Sequence, residues 1–169
     1  MILIRILTVC LFCFGVPTIT LAQGANIDLG SSAFDSGQPV EVTADTLSVD
    51  QSTGQAIFQG NVLVVQGSVR LSAARVEIEY AADEGGAPNG IERLKASGGV
   101  TFVTATDAAE AQEAIYTIDS SRVVLSGGVL LTQGATAISG DQLVVDLKSG
   151  SGRMEGGVRT VISAGGSNE

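Results

Sequence analysis

Asp45, Asp50, Asp141 and Asp146 are the residues whose type and repeated spacing could do chemistry in this chain. Carboxylates can exchange protons with a substrate or hold a hard cation. Most other reactive groups are missing. The sequence contains no histidine, and its two cysteines, Cys10 and Cys13, both lie in an apolar N-terminal run. Beyond that run, Ser-His-Asp and Cys-His nucleophile systems are excluded, and a typical zinc site lacks the His and Cys ligands it is built from. Asp83 and Glu84 do not have the spacing of a calcium loop. The glycine pairs lack the helix and the Lys-Ser/Thr of a phosphate loop. The four aspartates recur with the chain's own period, which assigns them to bends and turns rather than to one catalytic centre. No catalytic residue, cofactor or metal is expected.

That period is set by Gly60-Asn61-Val62, Gly98-Gly99-Val100, Gly127-Gly128-Val129 and Gly156-Gly157-Val158, at steps of 38, 29 and 29 residues. A fixed period of this length signals stacked units, none of which can bury its apolar face alone. Asp45 precedes Gly60 by fifteen residues and Asp141 precedes Gly156 by the same number; Gln112 holds that place before Gly127. The second unit fits after removal of nine residues, from a stretch of loop composition at residues 81–90.

Strong alternation around each anchor, with Ile57, Leu63 and Val65 as apolar exceptions in the opposite phase, predicts strands. Ala56, Phe58, Gly60, Val62 and Val64 share one phase, and Val123, Leu125, Gly127, Val129 and Leu131 repeat it. The preceding half-units change phase. Val40, Val42 and Ala44 give way to Leu47 and Val49, and Thr136, Ile138 and Gly140 to Leu143 and Val145. A phase change keeps the apolar side inward only where a strand bends or bulges. The expected architecture is all-β: bent antiparallel hairpins stacked as an open β-jellyroll. Two facing sheets of about 16 short strands would form a stack about 38 Å long.

Residues 1–22 combine a basic start, an apolar core and Thr20-Leu21-Ala22, the pattern of a cleaved signal peptide. Residues 23–38 read as a flexible lead-in, 39–162 as the β domain and 163–169 as a flexible tail. Cleavage after Ala22 leaves eight Lys and Arg against 18 Asp and Glu, a net charge of −10. That balance argues against nucleic acid and anionic membrane surfaces as partners.

Val42-Thr43-Ala44-Asp45-Thr46-Leu47, followed by Gly54-Gln55-Ala56-Ile57-Phe58-Gln59-Gly60-Asn61-Val62, resembles the first repeat of the OstA-like family of lipopolysaccharide-transport proteins. Segments 111–129 and 139–158 resemble later repeats, and the likeness spans residues 38–162. The second and third copies depart from Ala-Asp, with Ala73-Ala74 and Ala111-Gln112. The resemblance implies a periplasmic, non-enzymatic carrier of lipopolysaccharide. It also implies head-to-tail self-association and inner- and outer-membrane transport partners of similar fold. An inner-membrane-anchored relative and a self-assembling β-solenoid without lipid are the alternatives. A β-helix enzyme would need carboxylates clustered on one rung, and here they are dispersed.

An inward aliphatic stripe suits a dry core and an openable lipid groove equally. The resemblance favours the groove. Its expected lining is Phe58, Val62, Val64, Phe102, Leu125, Leu131 and Met154, with Val40, Val42, Leu71 and Ile138 opposite. Lys95 and Arg153 take the outward phase. The assembly edges are expected at Val40 and Val42 and at Val158, Thr160 and Ile162.

Overall fold

The computed structural model describes residues 25–29, 37–50, 55–82 and 88–163. It contains eleven strands and no helix among them: β1 (Ala25–Asp28), β2 (Glu41–Thr43), β3 (Thr46–Asp50), β4 (Gln55–Gln66), β5 (Val69–Ala82), β6 (Pro88–Val103), β7 (Asp107–Thr117), β8 (Arg122–Gln133), β9 (Thr136–Asp146), β10 (Ser151–Glu155) and β11 (Arg159–Ile162). All described pairings are antiparallel. They follow the order β1-β10-β9-β8-β7-β6-β5-β4-β2, with β3 also on β4 and β11 also on β9.

The fold class is the expected one, and counted layer by layer the strand segments come close to the expected 16. Six long strands, β4 to β9, run unbroken through the bend and contribute to both layers. A single hydrogen-bonded sheet is therefore folded over on itself, and its two layers are the two facing sheets expected. The first layer holds 41–43, 62–66, 69–73, 100–103, 107–111, 129–133, 136–140 and 159–162. The second holds 25–28, 46–50, 55–59, 75–80, 91–97, 113–117, 122–126, 142–146 and 151–155.

The bends are two-residue bulges at the glycine anchors. Register shifts fall between Gln59 and Val62, Ser97 and Val100, and Ser126 and Val129. In each, two left-handed residues oppose one residue of the neighbouring strand, which kinks the ladder and redirects it into the other layer. Gly127 and Gly128 have φ of 87° and 82°, and Gly60 and Asn61 have 78° and 48°. The partner strands change phase opposite these bulges, so inward positions stay inward.

The expected loop at 81–90 is narrower than its composition suggested. β5 runs to Ala82 and β6 starts at Pro88, because ladder pairing continues to Ala82↔Pro88. Within the segment read as a lead-in, Ala25–Asp28 form a strand on β10. Residues 51–54, the cleavage site and residues 164–169 lie outside the described residues.

Candidate functional site

The recurrent aspartates belong to the scaffold. The Asp45 amide donates to the Gly60 carbonyl and the Asp141 amide to the Gly156 carbonyl, both at 2.9 Å. The Asn61 side-chain amide donates to the Asp45 carboxylate at 2.9 Å. Asp146 accepts from the Ser149 and Lys148 amides at 2.9 and 3.0 Å, closing the β9–β10 turn. Those donors, Ser149 foremost, hold its carboxyl below the usual carboxylate range. These carboxylates mark separate bends and turns and do not converge. No group of three or more potential metal ligands occurs among the described residues.

The apolar interior is continuous from one end of the stack to the other. Val62, Val64, Leu71, Phe102, Leu125, Leu131, Ile138 and Met154 all belong to one buried cluster; Phe58, Val40 and Val42 pack against its margin. The expected division between opposing walls needs correction. Leu71 pairs directly with Phe102, and Ile138 with Leu131, so these four share the first layer with Val42, Val62 and Val64, Val40 lying just before β2. Phe58, Leu125 and Met154 line the second layer. The phase on a glycine-bearing strand continues through its bulge, while the strand itself crosses to the other layer. A period-2 reading does not record that crossing.

The interior is closed in this conformation. Leu125, Leu143 and Met154 have no exposed surface. Met154 lies directly over Gly140, where a Cβ would fall 2.7 Å from its Cγ. A cavity of about 30 Å³ remains, walled by Val64, Leu71 and Phe102 of one layer and Val76, Leu94 and Val123 of the other. That volume is of the order of one or two waters and holds no acyl chain.

One hydrogen-bonded path crosses this space. The Tyr116 hydroxyl donates to Gln66 Oε1 at 2.9 Å, joining the second layer to the first. Gln66 Nε2 donates in turn to the Gln38 carbonyl at 2.9 Å. Burial pushes the Tyr116 phenol up to about 12, because its anion would lose hydration. Neither residue stands out in the sequence. Tyr116 occupies an ordinary inward place, and Gln66 reads as the start of a turn.

The outward phase meets water as expected. Arg153 is exposed, and Lys95 pairs with Glu79, which also takes Arg93 at 3.4 Å. Each exposed pair of this kind is worth roughly 0–1 kcal/mol.

The ends differ from one another. At the head, β2 and β3 pair only with β4 among the described residues, and the inward-phase Leu47 and Val49 are 55% and 62% exposed. At the tail, β11 pairs only with β9 among the described residues. Ile162 is 72% exposed, Val158 lies just before the strand at 37%, and Thr160 is exposed as well. Beside them, β1 covers the free side of β10, burying Ile27 and Leu29. Sequence reasoning missed Ile27 and Leu29. Their signal was the alternation Ala25-Asn26-Ile27-Asp28-Leu29.

A sheet folded over an apolar interior, with glycine bulges in register and open edges at both ends, defines a β-jellyroll built from repeated hairpins. The profile of the family described as LptA/(LptD N-terminal domain) LPS transport protein matches residues 41–151, and the chain belongs to that family. Among curated relatives, the lipopolysaccharide export protein LptH of Pseudomonas aeruginosa is 28% identical over 143 residues, 78% of this chain and 79% of LptH. LptA of Escherichia coli K12 is 28% identical over 130 residues, 73% of this chain and 68% of LptA. An uncharacterised protein of Rhizobium meliloti is 28% identical over 144 residues, 83% of this chain and 77% of its own length. The crystal structure of P. aeruginosa LptH, described as a periplasmic component homologous to LptA, superposes with a TM-score of 0.65 at 22% identity. The match covers 77% of this chain and 99% of the crystallised LptH chain.

Proposed function

We propose that this protein is a periplasmic, non-enzymatic carrier that holds the acyl chains of lipopolysaccharide between its two layers. It passes the lipid from inner- to outer-membrane transport proteins of similar fold. The observation that carries this reading is the single apolar cluster running through the stack between unpaired strand edges. Burial of acyl chains supplies the affinity, at roughly 0.8 kcal/mol per methylene, offset by the cost of parting the layers. Lipid and core side chains compete for the same space, which makes binding reversible. At the ends, β2 and β3 of one copy add to the tail of another, through backbone hydrogen bonds with modest side-chain demands. Such a joint is heterologous and continues into rods, making the interior continuous from copy to copy.

Photocrosslinking tests the lipid path. A photoreactive residue at Phe58, Phe102 or Leu125 is expected to capture lipopolysaccharide, and one at Lys95 or Arg153 is not. Equal capture from both faces, or none from either, rejects an interior path. Lipid-free protein that still forms filaments supports the purely structural alternative. The leader is read as cleaved after Ala22. Intact-mass analysis of the soluble periplasmic fraction should find a chain beginning at Gln23; a membrane-bound chain retaining Met1 identifies the anchored relative instead.

A further inference from the structure

The strand on the free side of β10 has the form of a strand from another copy. Within the repeat, β4 and β10 are equivalent: Phe58 corresponds to Met154 and Ala56 to Gly152. On β4, the two flanking strands share one register. Leu47 and Val76 both face Phe58, and Val49 and Ile78 both face Ala56. On β10, one flank is β9, with Leu143 facing Met154 and Val145 facing Gly152. The other flank is β1, in the same direction and register, with Ala25 facing Met154 and Ile27 facing Gly152. A second copy docking its β3 on β10 in the repeat register would place Leu47 and Val49 where Ala25 and Ile27 now lie. The two segments even share a pattern, Leu47-Ser48-Val49-Asp50 against Ala25-Asn26-Ile27-Asp28.

β1 is also anchored in place. The Leu29 amide donates to the Gly150 carbonyl at 2.8 Å, and the Gln133 side-chain amide donates to the Asp28 carbonyl at 2.6 Å. The Leu29 side chain fills the space over Gly152. The other half of the tail edge, β11, has no second strand partner among the described residues. An incoming bent strand needs both halves, because β2 and β3 lie on either side of one bend and pair with the same partner strand.

We propose that β1 is an intramolecular stand-in for β3 of a neighbouring copy. It occupies the tail edge until that strand displaces it, and so limits end-to-end growth. The inference rests on the end-to-end joint described above and adds a competitor to it. A strand held in cis competes at high effective concentration, so displacement becomes a threshold for assembly.

The test is a reversible lock. Asn26 and Arg153 are directly opposite in the ladder. Antiparallel partners lie about 4.5–5.5 Å apart at Cα, within disulfide range. The lock is Asn26→Cys with Arg153→Cys, in a Cys10→Ser, Cys13→Ser background so that only the new pair can bridge. Assembly is followed by sedimentation across protein concentration. The oxidised protein should stay single, and the reduced protein should form rods. A release variant, Ile27→Asp with Leu29→Asp, should form rods at a concentration at least about fivefold lower than wild type, its β content being checked by circular dichroism. Equal assembly of oxidised and reduced protein overturns the proposal, as does a folded release variant that assembles no more readily than wild type. If no form assembles at any concentration, the joint and its competitor both fall. Photocapture of lipopolysaccharide by single copies then decides the carriage reading separately.

Discussion

At the bends, the two residues of each glycine pair have different jobs. The first lacks room as well as requiring a left-handed backbone: a Cβ on Gly127 would lie 2.7 Å from Gln112 Cβ, and one on Gly98 would lie 2.8 Å from Ala74 Cβ. The second faces open space at Gly99, Gly128 and Gly157. Only the backbone angle constrains it, which is why Asn61 serves in the first repeat. Gly128→Asn should therefore cost less than about 1 kcal/mol, and Gly127→Ala about 2–4 kcal/mol, in urea unfolding. Equal costs would show that packing against Gln112 is irrelevant. Tyr116 supplies a second test at this scale. Its folded pKa lies above that of the unfolded phenol, so the folded chain holds the proton more tightly. That contribution is complete below about pH 10 and is lost as pH rises from 10 to about 12. Thermal unfolding of wild type should fall across that window, and Tyr116→Phe should flatten the fall. At neutral pH the variant should be less stable by about 1–2 kcal/mol, because Gln66 loses a buried donor.

The long strands do two things at once, pairing within a layer and joining the layers through their bulges. A charge at the middle of such a strand is felt throughout the core. Leu125→Asp, at a site with no exposed surface, should cost at least about 3 kcal/mol and abolish lipid capture. The short terminal strands behave differently, since among the described residues β11 pairs on one side only, and all four of its residues are exposed. Deleting residues 158–169 should leave most of the β signal in circular dichroism intact while abolishing end-to-end association. Truncated protein that still sediments as the same rods would place the joint elsewhere.

Over the whole molecule, the balance of charge opposes the association that the edges invite. The full sequence carries a net −9, so two copies repel as they approach end to end. Raising ionic strength from about 20 to 150 mM shortens the screening length to about 8 Å and should promote rod formation. A joint held mainly by ion pairs would respond in the opposite sense, and sedimentation at the two salt concentrations distinguishes them. Repulsion of this kind also disfavours haphazard edge pairing, so that only a contact aligning backbone and apolar interior together is retained.

Local patterning determined the all-β class, the repeat, the inward phase and the positions of the bends. Alternation and glycine placement act over a few residues and are written directly in the chain. Phe102 and Leu125 could both be assigned to the interior in this way. Their placement on opposite walls could not, because a bulge moves a strand between layers without changing the phase of its own side chains. The pairing of β1 with β10 was equally invisible, since it joins residues 25–28 to 151–154 and depends on the whole stack bringing those segments together. The Tyr116–Gln66 bond has the same origin. Closure of the interior is likewise a tertiary result: aliphatic positions specify an apolar space, and only the packing of both layers decides whether that space is filled by the protein itself.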